Sequence, residues 1–567
     1  MLARLHPFAR CLPALLAFVL AACGGSTAMP SAAPTSGIPA QGGTPAANLA
    51  SQPPNQLPQR QSAATPAGTS APAAAAPTAA PAADAPQAMA EQPAAEVAAG
   101  TIAQPPVGPP MVEPAAPLVS APPMPASPFV ETTADRLSTF ALDVDTGAYT
   151  AARGYINAGQ LPPPDSARAE EFLNYFHYDY PAPQQGDFGI YVDAAPSPWD
   201  QGDTQIVRVG IQGRRVDDGQ RKDAALTFVI DASGSMDRPS RLPLAKQALA
   251  LLTSELREGD SVAIVVFGSE SHVVLEPTSA AQRETILQAI DALGIEGATN
   301  IEGGLRMAYQ LAAQNFKPGA INRVILLSDG EANVGATGPD SILQTIHDQS
   351  AQGVLLSTVG FGMGDYNDQM LERLADAGNG NYAYVDTLDA ARRIFVQNLT
   401  GTLQVIAKDA KVQVDFNPAV VSSYRLIGYD NRAVADADFR NDSVDAGEVG
   451  AGHSVTALYE LRMTGQGQGT ALTVQLRYAD PKSGEVREIA QPFGSAGFGR
   501  DFAAAPPRFQ QAVAVAGFAE QLRGSRLGAP SLAGVLAITR RIAPQLANDN
   551  DVQEFAQLVA RAIELQG

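Results

Sequence analysis

Asp231, Ser233 and Ser235 stand at alternate positions in "FVIDASGSM", where an apolar run ends and the chain turns sharply. In an extended turn alternate side chains face one point, and Gly234 lets the backbone fold closely around it. Two further oxygen donors are candidates for the same edge: Thr299 in "GATN", a loop ahead of a helical pattern, and Asp329, which ends the apolar run "RVILLSD". Two carboxylates and three hydroxyls, with no thiol or imidazole among them, form a hard-donor set. Such a set suits Mg²⁺, with Mn²⁺ or Ca²⁺ as alternatives, and does not suit Zn²⁺. Mg²⁺ demands near-octahedral coordination, so a site this poor in direct carboxylates leaves a position open to an outside oxygen. Helix capping would explain Ser or Asp at any one of these turns. It does not explain all three together.

These residues need a frame that brings three separate turns to one edge. Six runs read as strands, "ALTFVID", "SVAIVVFG", "HVVLEP", "RVILLSD", "VLLSTVGFG" and "NYAYVDT", most of them nearly continuously apolar, as strands covered on both faces are. Amphipathic helices lie between them; in one, Ile301, Leu305, Ala308 and Ala312 form a single stripe. The alternation predicts a doubly wound, mostly parallel α/β domain, in which ligands sit at the carboxyl ends of strands. The flanks carry a period of two: Val207, Val209 and Ile211; Val412, Val414 and Phe416; Val455, Ala457, Tyr459 and Leu461; Leu472, Val474, Leu476 and Tyr478. Half-buried antiparallel strands read this way. Because they occur on both sides of the α/β unit, one antiparallel β-sandwich interrupted by that unit is expected, with linkers near residues 222 and 407. The divisions are 131–185 as an N-terminal helical segment, 186–222 and 408–497 as the two parts of the sandwich, 223–407 as the α/β domain, and 498–567 as a C-terminal helical region.

"DASGS", "GATN" and "LLSDGE", in this order along an α/β domain, resemble the metal-ion-dependent adhesion site of von Willebrand factor type A domains. The resemblance implies a Rossmann-like fold, with Ser233, Ser235 and Thr299 as direct ligands and Asp231 and Asp329 acting largely through bound water. It also implies that an acidic side chain of a partner completes the shell. The flanking "STFALDVDTGAYTAARGYINAGQLPPPDSARAEEFLNYF" and "YRLIGYDNRAVADADFRNDSVDAGEVGAGHSVTALYEL" resemble those of bacterial von Willebrand A lipoproteins, so the likeness covers about residues 131–567.

Residues 1–22 carry Arg4, Arg10 and the apolar "LPALLAFVL", the pattern of a secretory signal. "LAAC" resembles a lipobox, which implies acylation of Cys23. Several acyl chains make a stable anchor, and Gly24 in place of Asp favours the outer membrane of a bacterial envelope. From 23 to 130 the chain is Pro, Ala, Ser, Thr, Gln and Gly, a composition too poor in apolar surface to offset ordering, and it reads as a disordered tether. Cys11 leaves with the signal, so the exported body contains no disulfide. The formal charge of −20 falls almost wholly on the head and lacks Lys/Arg clusters, which argues against nucleic acid and anionic lipid as partners.

Rival readings are weaker. "LDVDTG" has the Asp-x-Asp-x-Thr spacing of phosphatases that form an aspartyl phosphate on a residue such as Asp143, but only a short apolar stretch precedes it. His177, His272, His347 and His453 read as packed or surface residues, and neither a nucleophile elbow nor a P-loop is present. "GFGMG" at 360–364 lacks dinucleotide spacing. Ala512, Val515, Ala519 and Leu522 share one helix face that could dock on a partner, although packing against the sandwich is the simpler account. The expectation is a lipid-anchored, non-enzymatic adhesion or scaffold protein that binds an extracytoplasmic protein through a divalent ion. The alternative is a structural envelope protein whose metal site is idle and whose sandwich and C-terminal helices make the contacts.

Overall fold

In the computed structural model, residues 127–200, 203–330, 339–362, 368–499, 501–525 and 531–566 are described. The signal, Cys23, the tether up to residue 126 and Glu331 of "LLSDGE" lie outside the described residues. The chain opens with strands β1 (Val130–Glu131) and β2 (Leu137–Ala141), helices α1 (Gly147–Asn157) and α2 (Ala169–Tyr175), then strands β3 (Phe188–Pro196) and β4 (Gln205–Gly213). The α/β unit follows as β5 (Ala224–Asp231), α3 (Leu242–Glu255), β6 (Ser261–Phe267), β7 (Ser271–Ser279), α4 (Arg283–Asp291), α5 (Ile301–Gln314) and β8 (Ile321–Ser328). It continues through α6 (Pro339–Ala351), β9 (Leu355–Phe361), α7 (Asp368–Ala377), β10 (Tyr382–Val385), α8 (Leu388–Arg392), a π-helical turn (Arg393–Gln397) and α9 (Leu399–Leu403). The chain then returns as β11 (Val405–Phe416), β12 (Val421–Ile427), β13 (Gly447–Gly450), β14 (Ser454–Met463), β15 (Thr470–Ala479) and β16 (Val486–Gly494), and ends in α10 (Pro507–Leu522), α11 (Leu532–Ile542) and α12 (Asn550–Gln566).

All six apolar runs of the α/β unit form one sheet in the order β10-β9-β8-β5-β6-β7, parallel except for β7, which runs antiparallel to β6 at the edge. β5 and β8 are buried along their whole length, as central strands covered by helices on both faces must be. The predicted stripe Ile301, Leu305, Ala308 and Ala312 is buried in α5. Strands from either side of this unit pair with one another: β4 lies antiparallel to β14, with Val209 opposite Ala457, and Val207, Val209 and Ile211 share a core with Val412, Val414, Phe416 and Val455. The fold class read from the sequence, an α/β unit inserted in an antiparallel sandwich, is the one observed.

Three local expectations are corrected. The segment 131–185 is not only helical, because β2 pairs with β11 and β1 with β12, so its start belongs to the sandwich. The second crossing has no linker, since α9 ends at Leu403 and β11 begins at Val405. β4 and β14 are buried on both faces rather than one. Their outer face meets α2 and α10, where Ile206 and Leu458 join Phe172, Phe509 and Phe518 in a second core. Arg208, an outer-face residue of β4, is tolerated there because it forms a two-pronged pair with Asp193 at 2.9 and 2.7 Å. α10 buries Val513, Ala514, Ala516 and Phe518 in addition to the face expected from the sequence, so it is an interior helix and not a docking surface.

The amino ends of the α/β strands meet the sandwich. There the Lys222 N–H donates to Gln404 at 3.0 Å, and buried Asp260 pairs with Arg221 at 2.6 Å. At the same junction Glu448 is 8% exposed and accepts a hydrogen bond from Asn379, and burial pushes its carboxyl up to about 8. A raised carboxyl pKa means that the folded chain keeps a proton the unfolded chain releases between about pH 4.5 and pH 8. Its contribution is therefore full below that window and is lost as pH rises through it. Glu448→Gln is expected to match the parent near pH 4.5 and to exceed it at pH 8 by on the order of 1–2 kcal/mol in urea unfolding. Identical pH slopes for the two proteins would reject this.

Candidate metal centre

β5 and β8 are adjacent parallel strands, so their carboxyl ends place Asp231 and Ser328–Asp329 side by side. β5 has eight residues, so at about 3.3 Å per residue this edge lies roughly 26 Å from the sandwich junction. The turn after β5 does not continue directly into a helix. Asp231 Oδ1 accepts the Ser233 N–H at 2.9 Å, and a short 3₁₀ turn over Gly234–Met236 follows. Asp231 Oδ2 accepts the Ser328 hydroxyl at 2.7 Å, and Ser328 Oγ in turn accepts the Gly330 N–H at 3.1 Å. Gly330 has φ +77°, which a side chain at that turn would strain.

Ser233 Oγ and Ser235 Oγ lie 2.9 Å apart, in contact with each other, with Ser233 buried and Ser235 half-buried. The loop 296–300 docks alongside: the Gly234 N–H donates to Gly297 O at 2.8 Å, and the Glu296 N–H to Ala232 O at 2.7 Å. Gly297 has φ +107°, and a Cβ there would stand 2.7 Å from Ser269 Oγ, so this approach requires glycine. Thr299 is thereby placed two residues beyond the bridge, half-buried, on the rim of the same edge. Asn300, not Thr299, caps α5, accepting the Gly303 N–H at 3.0 Å.

Asp231 and Asp329 are both essentially without solvent exposure. Burial raises the Asp231 carboxyl above its usual range, with the nearby Asp329 charge acting the same way, while hydrogen bonds from Ser233 and Ser328 oppose the shift. A cation in front of the two serines would favour the ionised form. The donor set is therefore chemically fitted to a hard divalent ion: two hydroxyls facing each other, with a buried carboxylate engaged on both oxygens behind them. Among the described residues no cluster of three or more His, Cys, Asp or Glu side chains is arranged to hold a metal, so a site here depends on hydroxyls and outside oxygens.

Asp329 departs from the expected pattern. It is paired with Arg241, which is 1% exposed and also donates to Ser235 O at 2.7 Å and Gly362 O at 3.0 Å. Sequence reasoning passed over Arg241 and Ser328. One signal for Arg241 was available: it is the residue that caps the amino end of α3, where a cation opposes the helix dipole and needs a carboxylate to hold it. Arg241→Gln would leave a buried, uncompensated carboxylate, so a loss of about 3 kcal/mol is expected in the metal-free protein. Mg²⁺ should then raise the melting temperature of the variant more than that of the parent, because the ion restores the missing positive charge. Equal Mg²⁺-induced shifts in a thermal melt would show that Asp329 does not sense the ion.

Asp143 of the phosphatase-like "LDVDTG" follows β2, which runs antiparallel to β11, not the parallel strand that such chemistry needs. Its Oδ1 accepts the Asp145 N–H at 2.8 Å, and Asp145 accepts the Tyr382 N–H at 2.8 Å, so the motif ties β10 to the sandwich.

Residues 225–398 match the family described as von Willebrand factor type A domain, residues 123–208 one described as von Willebrand factor, and residues 401–565 one described as uncharacterized protein YfbK, C-terminal. The sequence is 42% identical over 376 residues to the uncharacterized protein YfbK of Escherichia coli (strain K12), covering 64% of this chain and 65% of that protein. It is 27% identical over 293 residues to the uncharacterized protein sll0103 of Synechocystis sp., covering 50% of this chain and 69% of that protein. The match thus spans just under two thirds of the first relative's length. A solved structure described as von Willebrand factor type A from Catenulispora acidiphila aligns with a TM-score of 0.38 at 18% identity, covering 67% of this chain and 90% of that one.

Proposed function

Because residues 225–398 match the von Willebrand factor type A domain family and residues 401–565 the YfbK C-terminal family, we propose that the chain is an adhesion or scaffold protein of the cell envelope that binds a protein partner through a divalent ion. Domains of this type mediate protein interactions, often through a metal-ion-dependent adhesion site. The observation that carries the reading is the Ser233–Ser235 hydroxyl pair, backed by buried Asp231 and set on an edge remote from the sandwich. Ser233, Ser235 and Thr299 would hold Mg²⁺, Asp231 would orient the Ser233 backbone, and Asp329 would add charge from behind. Mn²⁺ or Ca²⁺ would suit the same oxygens. The ion supplies an electrophilic point that a Glu or Asp of the partner can occupy. Lipid attachment through Cys23 and an outer-membrane location belong to the same proposal.

The idle-site reading draws support from one observation, the commitment of Asp329 to Arg241. Under it, contacts fall to the sandwich and the C-terminal helices. Affinity capture from envelope extracts with Mg²⁺ or with a chelator separates the two readings. Capture that is lost in chelator is expected, and equal capture in chelator would sink the metal-mediated reading.

A further inference from the structure

The loops that carry the metal donors also wall an apolar groove. It measures about 600 Å³ and runs between α3 and α4, lined by Met236, Leu242, Leu287, Ile290, Leu293 and Ile295 among others. Two of its side chains, Leu287 at 36% and Ile295 at 39% exposure, are among the few large apolar residues left open on the described surface. Lys246 braces the groove, donating to Asp291 O at 2.6 Å and Leu293 O at 3.2 Å, which ties the end of α4 to α3 and keeps the walls apart at a fixed spacing.

The groove is continuous with the metal edge along the chain itself. Asp237, on its rim, is two residues beyond Ser235, and Ile295 is four residues before Thr299. Those separations limit the distances to about 7 Å and 14 Å. A partner segment whose carboxylate reaches the ion can therefore extend, within two to four residues, onto the Ile295 end of the groove, which Leu287 also lines. A single carboxylate–metal contact on a head that carries nearly all of the chain's formal charge of −20 gives little specificity. Burial of an apolar anchor in a preformed pocket beside it would supply that specificity.

We infer that the partner presents an extended segment with one Asp or Glu and, within two to four residues of it, a large aliphatic side chain that enters the Leu287–Ile295 groove. This inference rests on the metal-mediated reading and adds the second half of the recognition.

The test uses the full chain and three fluorescent glycine–serine peptides, bearing Glu alone, Leu alone, or Glu with Leu three residues later, titrated in MgCl₂ and in chelator. The paired peptide is expected to bind about tenfold more tightly than Glu alone in Mg²⁺. Leu287→Ser and Ile295→Ser, both at exposed positions, should each erase that tenfold while leaving Mg²⁺ binding and the Glu-only affinity unchanged, since neither adds charge near the ion. Equal affinity of the paired and Glu-only peptides, or no effect of either groove substitution, would overturn the groove while leaving the metal reading standing. Binding that is indifferent to chelator would overturn both, and so would no binding of any peptide up to about 1 mM.

Discussion

Asp231→Ala is expected to weaken Mg²⁺ binding by about 10- to 100-fold and to remove chelator-sensitive capture of the partner. The size follows from position. Asp231 holds the Ser233 backbone at 2.9 Å and the Ser328 hydroxyl at 2.7 Å, so its loss releases one serine of the facing pair and removes buried negative charge behind the ion. Its effect on the metal-free fold should be smaller. The Ser328 hydroxyl and the Ser233 N–H lose a partner, at about 1–3 kcal/mol, but a carboxylate whose charged form is disfavoured by burial is removed at the same time. Asp231→Asn keeps the shape and should bind Mg²⁺ nearly as poorly, which would assign the loss to charge rather than to collapse of the turn. Calorimetric titration of both variants beside the parent, with circular dichroism to check the fold, makes the measurement. Parent-like Mg²⁺ affinity in both variants would mean that the ion sits elsewhere or does not bind.

Arg432→Ala is expected to destabilise the head by about 3–5 kcal/mol. Arg432 lies in the turn between β12 and β13 and reaches across to the α/β unit. It contacts Asp143 and Asp145 at 3.3 Å each, Glu372 at 3.1 Å and Asp376 at 2.9 Å. Among the described residues Arg168 is the other cation bonded into this group, pairing with Glu171 and lying 3.6 Å from Glu372. Five carboxylates thus share two guanidinium groups at a junction where Glu171 is fully buried and Asp143 and Asp145 nearly so. Burial raises Asp145, and it pushes Glu372 up to about 8 with the Glu171 charge adding to the effect.

Carboxyl groups with raised folded pKa values stabilise most below their unfolded values and lose that contribution as pH rises. Removing Arg432 pushes them higher still. The cost of the substitution should therefore be small near pH 4.5 and grow toward pH 8. Arg432→Lys keeps one charge but cannot bridge four carboxylates, and should fall between. Denaturant unfolding across that range decides the matter, and a loss below about 1 kcal/mol or one independent of pH would refute the clamp. The clamp also gives "LDVDTG" a role that needs no phosphoryl chemistry: its two aspartates lock the inserted unit to the sandwich from the side away from the metal edge.

The sequence alone determined the order of the six strands of the α/β unit, the inserted architecture and the three turns that bear oxygen donors, although not the strands at 130–131 and 137–141. Those features depend on local periodicity and on residues close in the chain: "FVIDASGSM" names its own strand, turn and serine spacing. It also determined that β4 and β14 are strands, because Val207–Val209–Ile211 and Val455–Ala457–Tyr459 alternate. Only the tertiary structure decided that their other face is covered as well, since the helices that cover it lie far along the chain, at 169–175 and 507–522. The same applies to the site. The alternation placed Asp231, Ser233 and Ser235 together, but Arg241 meets Asp329 across 88 residues and Arg432 meets Asp145 across 287, pairings that no window of sequence contains. Buried charges must find opposite charges wherever the fold brings them. Their partners are set by packing, and packing is not written in the spacing of the residues that need them.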